Sequence, residues 1–173
     1  TVKGEEIANY AYNYSTKKNA SDAYIDSVLK TTSVYYYKTE AGVRANAGAT
    51  SEDAMTVSKT YKTTNISSVR DNQVIDNTDP ENPVTLEPNI QSATFYKGGK
   101  SDEVANFSYN YQVGTTTIKS TSVFFYNPLG TQVGLQRAKD ADTESSMARS
   151  LSYKDSLAVL DATVFYAANG TLA

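Results

Sequence analysis

The chain of 173 residues has no cysteine, no histidine and no tryptophan, and only four prolines. Without cysteine there is neither a disulfide framework nor a thiolate metal site. Without histidine the commonest general base, the commonest transition-metal ligand and the usual near-neutral titrating group are all missing. A Ser-His or Cys-His nucleophile therefore cannot be assembled, and neither a Gly-x-Ser-x-Gly elbow nor a phosphate-cradling glycine loop occurs. Charge of one sign is also scarce. Sixteen basic against 19 acidic residues leave a formal charge of −3, and no basic cluster exceeds Lys17-Lys18. Nucleic acid, whose binding rests largely on phosphate neutralisation, is not an expected partner. No apolar run approaches the roughly 20 residues of a membrane-spanning helix, so no membrane span is expected in this chain. Thr1 does not open a basic, then apolar, leader, which suits a mature or truncated form of an exported protein.

What the chain has instead is tyrosine, fourteen of them, among many Ser, Thr and Asn. A polar, weakly charged surface of this kind points to a secreted or cell-surface location. Four segments repeat one phrase of a small or hydroxyl residue, β-formers, an aromatic, a tyrosine and a nearby glycine. They are Ser33-Val34-Tyr35-Tyr36-Tyr37 before Gly42, Ser92-Ala93-Thr94-Phe95-Tyr96 before Gly98, Ser122-Val123-Phe124-Phe125-Tyr126 before Gly130, and Ala162-Thr163-Val164-Phe165-Tyr166 before Gly170. β-branched and aromatic residues suit a pleated, half-buried surface, and the glycine ends it in a turn. Spacings of 59, 30 and 40 residues between the tyrosines exclude a solenoid with a fixed period.

Clean alternation marks Ala8 to Tyr14 and Phe107 to Val113 as strands with one aromatic face. Further strands are expected at Met55 to Tyr61, Ser67 to Ile75, Val84 to Leu86, Asn89 to Tyr96, Glu103 to Val113, Thr115 to Tyr126, Gln132 to Arg137 and Leu157 to Tyr166. Apolar residues at 24, 25, 28 and 29 predict a short helix over 21–30, in competition with a backward extension of the following strand. Weaker helical signals lie at Ser51-Glu52-Asp53 and at Ser145 to Leu151. The segment Asp76 to Pro83 carries two prolines and four Asx residues, which mark it as a loop. Strands every 8–15 residues predict an all-β, antiparallel β-sandwich of Ig-like or jelly-roll type with one or two short helices. The expected organisation is an N-terminal strand or donor-strand arm over 1–20, and a single β-sandwich domain over 21–173. In the repeated phrase Val34, Tyr36, Ala93, Phe95, Val123, Phe125, Thr163 and Phe165 are expected to face the core. Tyr37, Tyr96, Tyr126 and Tyr166 then lie on a second apolar face, covered either by the same chain or by another molecule.

Candidate sites are few. Asp71, Asp76, Asp79 and Glu81 offer oxygen ligands suited to calcium, the one cofactor considered, although the spacing and the glycine of an EF-hand are missing. Asp140, Asp142 and Glu144 form a second acidic cluster, and solvated loops are the plain reading of both. Of five Asn-x-Ser/Thr sequons, at Asn13, Asn19, Asn65, Asn106 and Asn169, Asn19 and Asn65 fall in expected loops and are the glycosylation candidates. Catalytic residues are not assigned, because any two of nineteen acids satisfy the pattern of a carboxylate pair. The stretch Tyr126-Asn127-Pro128-Leu129-Gly130-Thr131-Gln132-Val133 resembles the Asn-Pro-Leu-Gly segment of NTF2-like periplasmic domains in type IV secretion assembly factors. In that family the segment lies near the chain end, whereas here some forty residues follow.

The combination predicts a non-enzymatic extracellular subunit of a surface structure, filament or pilus that self-associates into a homo-oligomer through β-strand pairing. Ala8, Tyr10, Tyr12 and Tyr14 form the expected assembly face. A carbohydrate- or ligand-binding module of an adhesin, with tyrosines as the stacking platform, is the alternative, and the resemblance adds an NTF2-like secretion assembly domain as a minor one.

Overall fold

A computed structural model describes residues 6–130 and 133–156. Its strands are β1 (Tyr10–Lys18), β2 (Tyr24–Tyr37), β3 (Met55–Tyr61), β4 (Val74–Asp76), β5 (Val84–Leu86), β6 (Ile90–Lys97), β7 (Val104–Tyr111), β8 (Ile118–Tyr126) and β9 (Met147–Lys154). Seven of them form one antiparallel sheet in the order β1-β2-β3-β6-β7-β8-β9, and β4 and β5 pair as a small second sheet inserted between β3 and β6. The fold is thus all-β and sandwich-like, made of one large antiparallel sheet and a small second sheet. Helical structure among the described residues amounts to two 3-10 turns, Ala45–Ala47 and Ile66–Ser68.

Period-two alternation divides the large sheet into two chemically distinct faces. On one face Tyr36, Val57, Phe95, Phe107, Val123 and Leu151 align across six strands, and Val34, Lys59, Ala93, Tyr109, Thr121 and Tyr153 form the next row. On the other face the rows read Ser33, Thr60, Ser92, Asn110 and Ser120, then Tyr35, Ser58, Thr94, Ser108, Ser122 and Ser152. The first face holds the core: Val34, Tyr61, Ile90 and Ala93 are buried together, with Ile66 and Val69 packed over them, and Val123 and Phe125 pack with Leu135. The second face is mostly hydroxyl-lined and cross-linked by contacts such as Ser122 to Ser152 at 2.8 Å and Asn110 to Ser120 at 3.2 Å. The expected second apolar face is therefore confined to the strand ends, where Val104 and Tyr126 pack with Phe124, Ala138 and Ala141.

Of the three described tyrosines that close the repeated phrase, two are covered by their own chain and Tyr96 is half-buried. Tyr37 and Tyr126 are buried and donate to the carbonyls of Ala8 at 2.7 Å and Ala105 at 2.6 Å, while the Tyr96 hydroxyl lies 3.1 Å from that of Ser58. The main sheet contains seven register shifts, and six fall directly before a tyrosine: Tyr14, Tyr37, Tyr61, Tyr96, Tyr111 and Tyr126. In each case the paired strand carries one extra residue, which bends the sheet and raises its twist. After the shift Tyr37 forms a two-way bridge with Val43, and Tyr126 does the same with Gln136.

Five sequence expectations are corrected, one of them the strand at Gln132 to Arg137, where residues 133–137 hold only the isolated bridge of Gln136 to Tyr126. Residues 21–30 are no helix, because β2 begins at Tyr24; Ser145 to Leu151 lies largely in β9; and Ser51 to Asp53 is a turn. Ser67 to Ile75 is a strand only from Val74, since Ile66–Ser68 coil into a 3-10 turn capped by the Asn65 side chain. The strand expected at Leu157 to Tyr166 and the turn at Asn169-Gly170 lie outside the described residues.

Two glycines test the turns. Gly98, at φ 118°, joins β6 to β7, and a Cβ there would overlap the carbonyl oxygen of Asp102, whereas a Cβ on Gly48, at φ 105°, meets open space. Gly98→Ala is expected to lower the unfolding free energy by about 2 kcal/mol or more, and Gly48→Ala by about 1 kcal/mol, in urea denaturation. Equal losses would mean that the Asp102 contact contributes nothing.

Candidate functional site

The first candidate is an arm. β3 pairs with β2 only from Thr32 to Tyr37, so the remainder of β2 and the matching half of β1 run on as a two-stranded hairpin. Tyr24 to Thr31 alone extend it by about 25 Å at the usual strand rise. Its tip is well formed: Asn19 accepts from the amides of Ser21 and Ala23 at 2.9 and 3.1 Å, Asp22 takes φ 61°, and Lys18 pairs with Asp22 at 2.8 Å. The arm exposes Tyr14, Tyr24, Ile25 and Val28, with Tyr24 74% exposed. These residues satisfy no core in their own chain.

The second candidate is the aromatic face. Phe95 stacks on Phe107 with centroids 4.5 Å apart, and Tyr109 stands edge-on to Phe95 at 5.6 Å. At one end a cleft of about 480 Å³ is lined by Phe95, Phe107, Thr56, Asn106 and the rim residues Lys38, Glu40 and Lys97. Toward the other end lies a polar network. Asp71 accepts from Tyr61 at 2.8 Å and from Lys59 at 2.8 Å, the Tyr36 hydroxyl is 3.3 Å from that of Tyr61, and the Lys59 ammonium sits 5.0 Å from the Tyr36 ring centroid. Arg137 is buried above Phe125 and donates to the side chain and carbonyl of Asn106.

The sequence-predicted sites are placed as follows. Tyr10 and Tyr12 pair with Val34 and Thr32 in the chain's own sheet, Tyr14 pairs with Leu29 in the arm, and the Ala8 carbonyl holds the Tyr37 hydroxyl. The segment expected as a free donor strand is therefore an edge strand, since β2 offers it the nearest unpaired ladder. Asp71 belongs to the Lys59 network, while Asp76 binds the amide and hydroxyl of Thr78 and Asp79 binds the amides of Glu81 and Asn82. Among the described residues no three carboxylates converge on one point, so the structure does not gather Asp71, Asp76, Asp79 and Glu81. Asp142, from the second acidic cluster, accepts from the amide of Glu144 as a turn cap. Asn19 and Asn65 are both exposed and both cap turns, Asn65 accepting from Ser67. No helix among the described residues is long and apolar enough to cross a membrane.

Sequence reasoning missed Tyr24, Ile25 and Val28, whose spacing mimics a helix, and the Lys59–Tyr61–Asp71 network. For the latter, the signal available was a lysine in the middle of an aromatic strand face. No described protein family, curated protein or solved structure matches the chain.

Burial pushes the Tyr61 phenol far above its ordinary range, helped by its hydrogen bond to Tyr36 and by the Asp71 carboxylate, next to which a phenolate is disfavoured. Burial also raises Tyr37, Tyr109, Tyr111 and Tyr126. Such groups keep their protons in the folded state and release them in the unfolded one near pH 10. Their stabilising share is thus complete below about pH 10 and declines as the pH rises beyond it. Unfolding free energy measured by urea titration is expected to fall between about pH 9 and 11, less steeply in Tyr61→Phe than in the wild type. An identical slope in the two proteins would show that Tyr61 ionises as easily folded as unfolded.

Proposed function

We propose that the protein is a non-enzymatic structural subunit of an extracellular or cell-surface assembly, and that it associates with copies of itself through the β1–β2 arm. The carrying observation is the arm's construction. A lone two-stranded hairpin is at best marginally stable in water, yet this one is capped at its tip and presents Tyr14, Tyr24, Ile25 and Val28 to solvent. An ordered apolar projection of this kind gains stability when a partner covers it. Enzymatic readings have less support, because the side chains that meet in networks are tyrosine, lysine and aspartate already engaged with one another. The sugar-platform reading calls for open tyrosine rings, whereas Tyr109 and Tyr111 are half-buried and stand edge-on to each other.

Light scattering after size exclusion, with negative-stain microscopy of the same fractions, tests the proposal. The wild type is expected to form oligomers or filaments, and Tyr24→Lys with Val28→Lys is expected to leave a monomer whose melting curve is close to that of the wild type, since neither residue contributes to the core. A wild type that stays monomeric at the highest concentration reached removes the proposal.

A further inference from the structure

We infer that the arm of one copy docks into the aromatic cleft of a second copy, so that copies join head to tail along the strand direction; the inference rests on the assembly reading of the arm. The two surfaces lie at opposite ends of the same sheet. The arm leaves from the end where β2 passes Thr32, whereas the cleft is built where β2 and β6 finish and β3 and β7 begin, from Thr56, Phe95, Lys97 and Phe107. A surface at one end that fits a surface at the other is a heterologous contact, which propagates into an open polymer when the operation is near a translation.

The two surfaces also match in chemistry. The cleft floor is the stacked Phe95–Phe107 pair, and its volume of about 480 Å³ lies within the range of pockets that engulf a ligand-sized group. The arm supplies Tyr24, an amphipathic ring that favours edge-on or offset contact with other rings and is among the residues that most often anchor interfaces. Charges flank both partners. Beside Tyr24 stand Lys18, its ammonium 5.2 Å from the ring centroid, and Asp26 two residues along the strand. Around the cleft stand Lys38, Lys97 and Glu40. With Tyr24 over Phe95 and Phe107, Asp26 meets Lys38 beside the Lys97–Glu40 pair, and Lys18, held at 2.8 Å by Asp22, comes to the Glu40 side of that pair. Opposite signs at the rim fix register and suppress the reversed insertion. Edge-to-edge pairing is a poorer route, because β1 carries Lys17, Lys18 and two register shifts along its open side, features that discourage strand addition.

Complementation between two assembly-deficient variants tests the inference. The arm variant, Tyr24→Lys with Val28→Lys, keeps an intact cleft; the cleft variant, Lys38→Glu with Lys97→Glu, keeps an intact arm and, at the rim, reverses two charges and opens the exposed Lys97–Glu40 pair. Each alone is expected to be monomeric by light scattering, and an equimolar mixture is expected to give a species of twice the chain mass and no longer polymer. Adding Asp26→Lys to the cleft variant is expected to restore polymerisation. If the cleft variant assembles like the wild type while the arm variant does not, the arm docks elsewhere, and this inference fails while the assembly reading stands. If the arm variant assembles like the wild type, or the wild type does not assemble, both fail.

Discussion

Everything in this molecule depends on the pairing register of one antiparallel sheet. A shift of a single residue would move Val34, Val57, Ala93 and Val123 onto the face now held by Ser33, Ser58, Ser92 and Ser122. The sheet nevertheless contains seven shifts, and it survives them because they are placed in a pattern. Six stand immediately before a tyrosine, three near each end of the strands: Tyr37, Tyr96 and Tyr126 at one end and Tyr14, Tyr61 and Tyr111 at the other. Between the two lines of shifts the rows are regular. At the lines themselves the ladder opens, and a tyrosine can cover an irregular backbone with its ring while its hydroxyl reaches a neighbouring oxygen, as Tyr37 does to Ala8 and Tyr126 to Ala105. The phrase in β2, β6 and β8 is thus a device for ending regular pairing at a set level in every second strand of the sheet, and the glycine after it supplies the turn. At Tyr37 and Tyr126 a phenylalanine would forfeit the hydrogen bond to that carbonyl.

The same physics decides what was legible in the sequence. β3, β6, β7 and β8 were readable because they lie inside the sheet: with one face in the core, alternation is enforced and the pattern survives in the residues. The outer half of β2 and the whole of β9 have no such enforcement. Most of their residues are exposed, so apolar residues fall where other pressures put them, and Tyr24, Ile25, Val28 and Leu29 come out at helical spacing. Pattern reading of an arm fails because an arm has no buried side. The Asp71 network was illegible for a different reason: Lys59 and Tyr61 are neighbours on one strand face, but their acidic partner lies on the segment after the 3-10 turn, and only the fold decides that this segment crosses the sheet. Asp71 was grouped with Asp76, Asp79 and Glu81 by sequence proximity, which says little about a chain that reverses direction within ten residues.

Lys59 shows how a charged group is accommodated in that face. It occupies a row otherwise made of Val34, Ala93, Tyr109, Thr121 and Tyr153, and its stem packs there while the ammonium reaches Asp71 and the Tyr36 ring. Removing Asp71 would leave both an ammonium and a phenol short of an acceptor in a half-buried place, which is costlier than losing an exposed ion pair such as Lys97 with Glu40. The network therefore reads as a fastening between the sheet and the segment that leads into β4, and it needs no ligand to account for it.

The outermost strands raise the remaining question of how such a sheet avoids indiscriminate pairing. β1 answers with two lysines and two irregularities, and β9, the outermost strand on the other side among the described residues, carries Arg149 and Lys154. The β1 edge is thus guarded, while the apolar residues of the arm are not. Had the arm evolved only to extend the sheet, its exposed positions would carry the same Ser and Thr that line the second face. They carry Tyr14, Tyr24, Ile25 and Val28 instead, on a hairpin whose tip is held by Asn19 and by the Lys18–Asp22 pair. For the proposed assembly, a guarded β1 edge beside an unguarded, pre-ordered projection favours side-chain docking, in which shape and rim charge select the partner, over strand addition, in which any extended segment would serve.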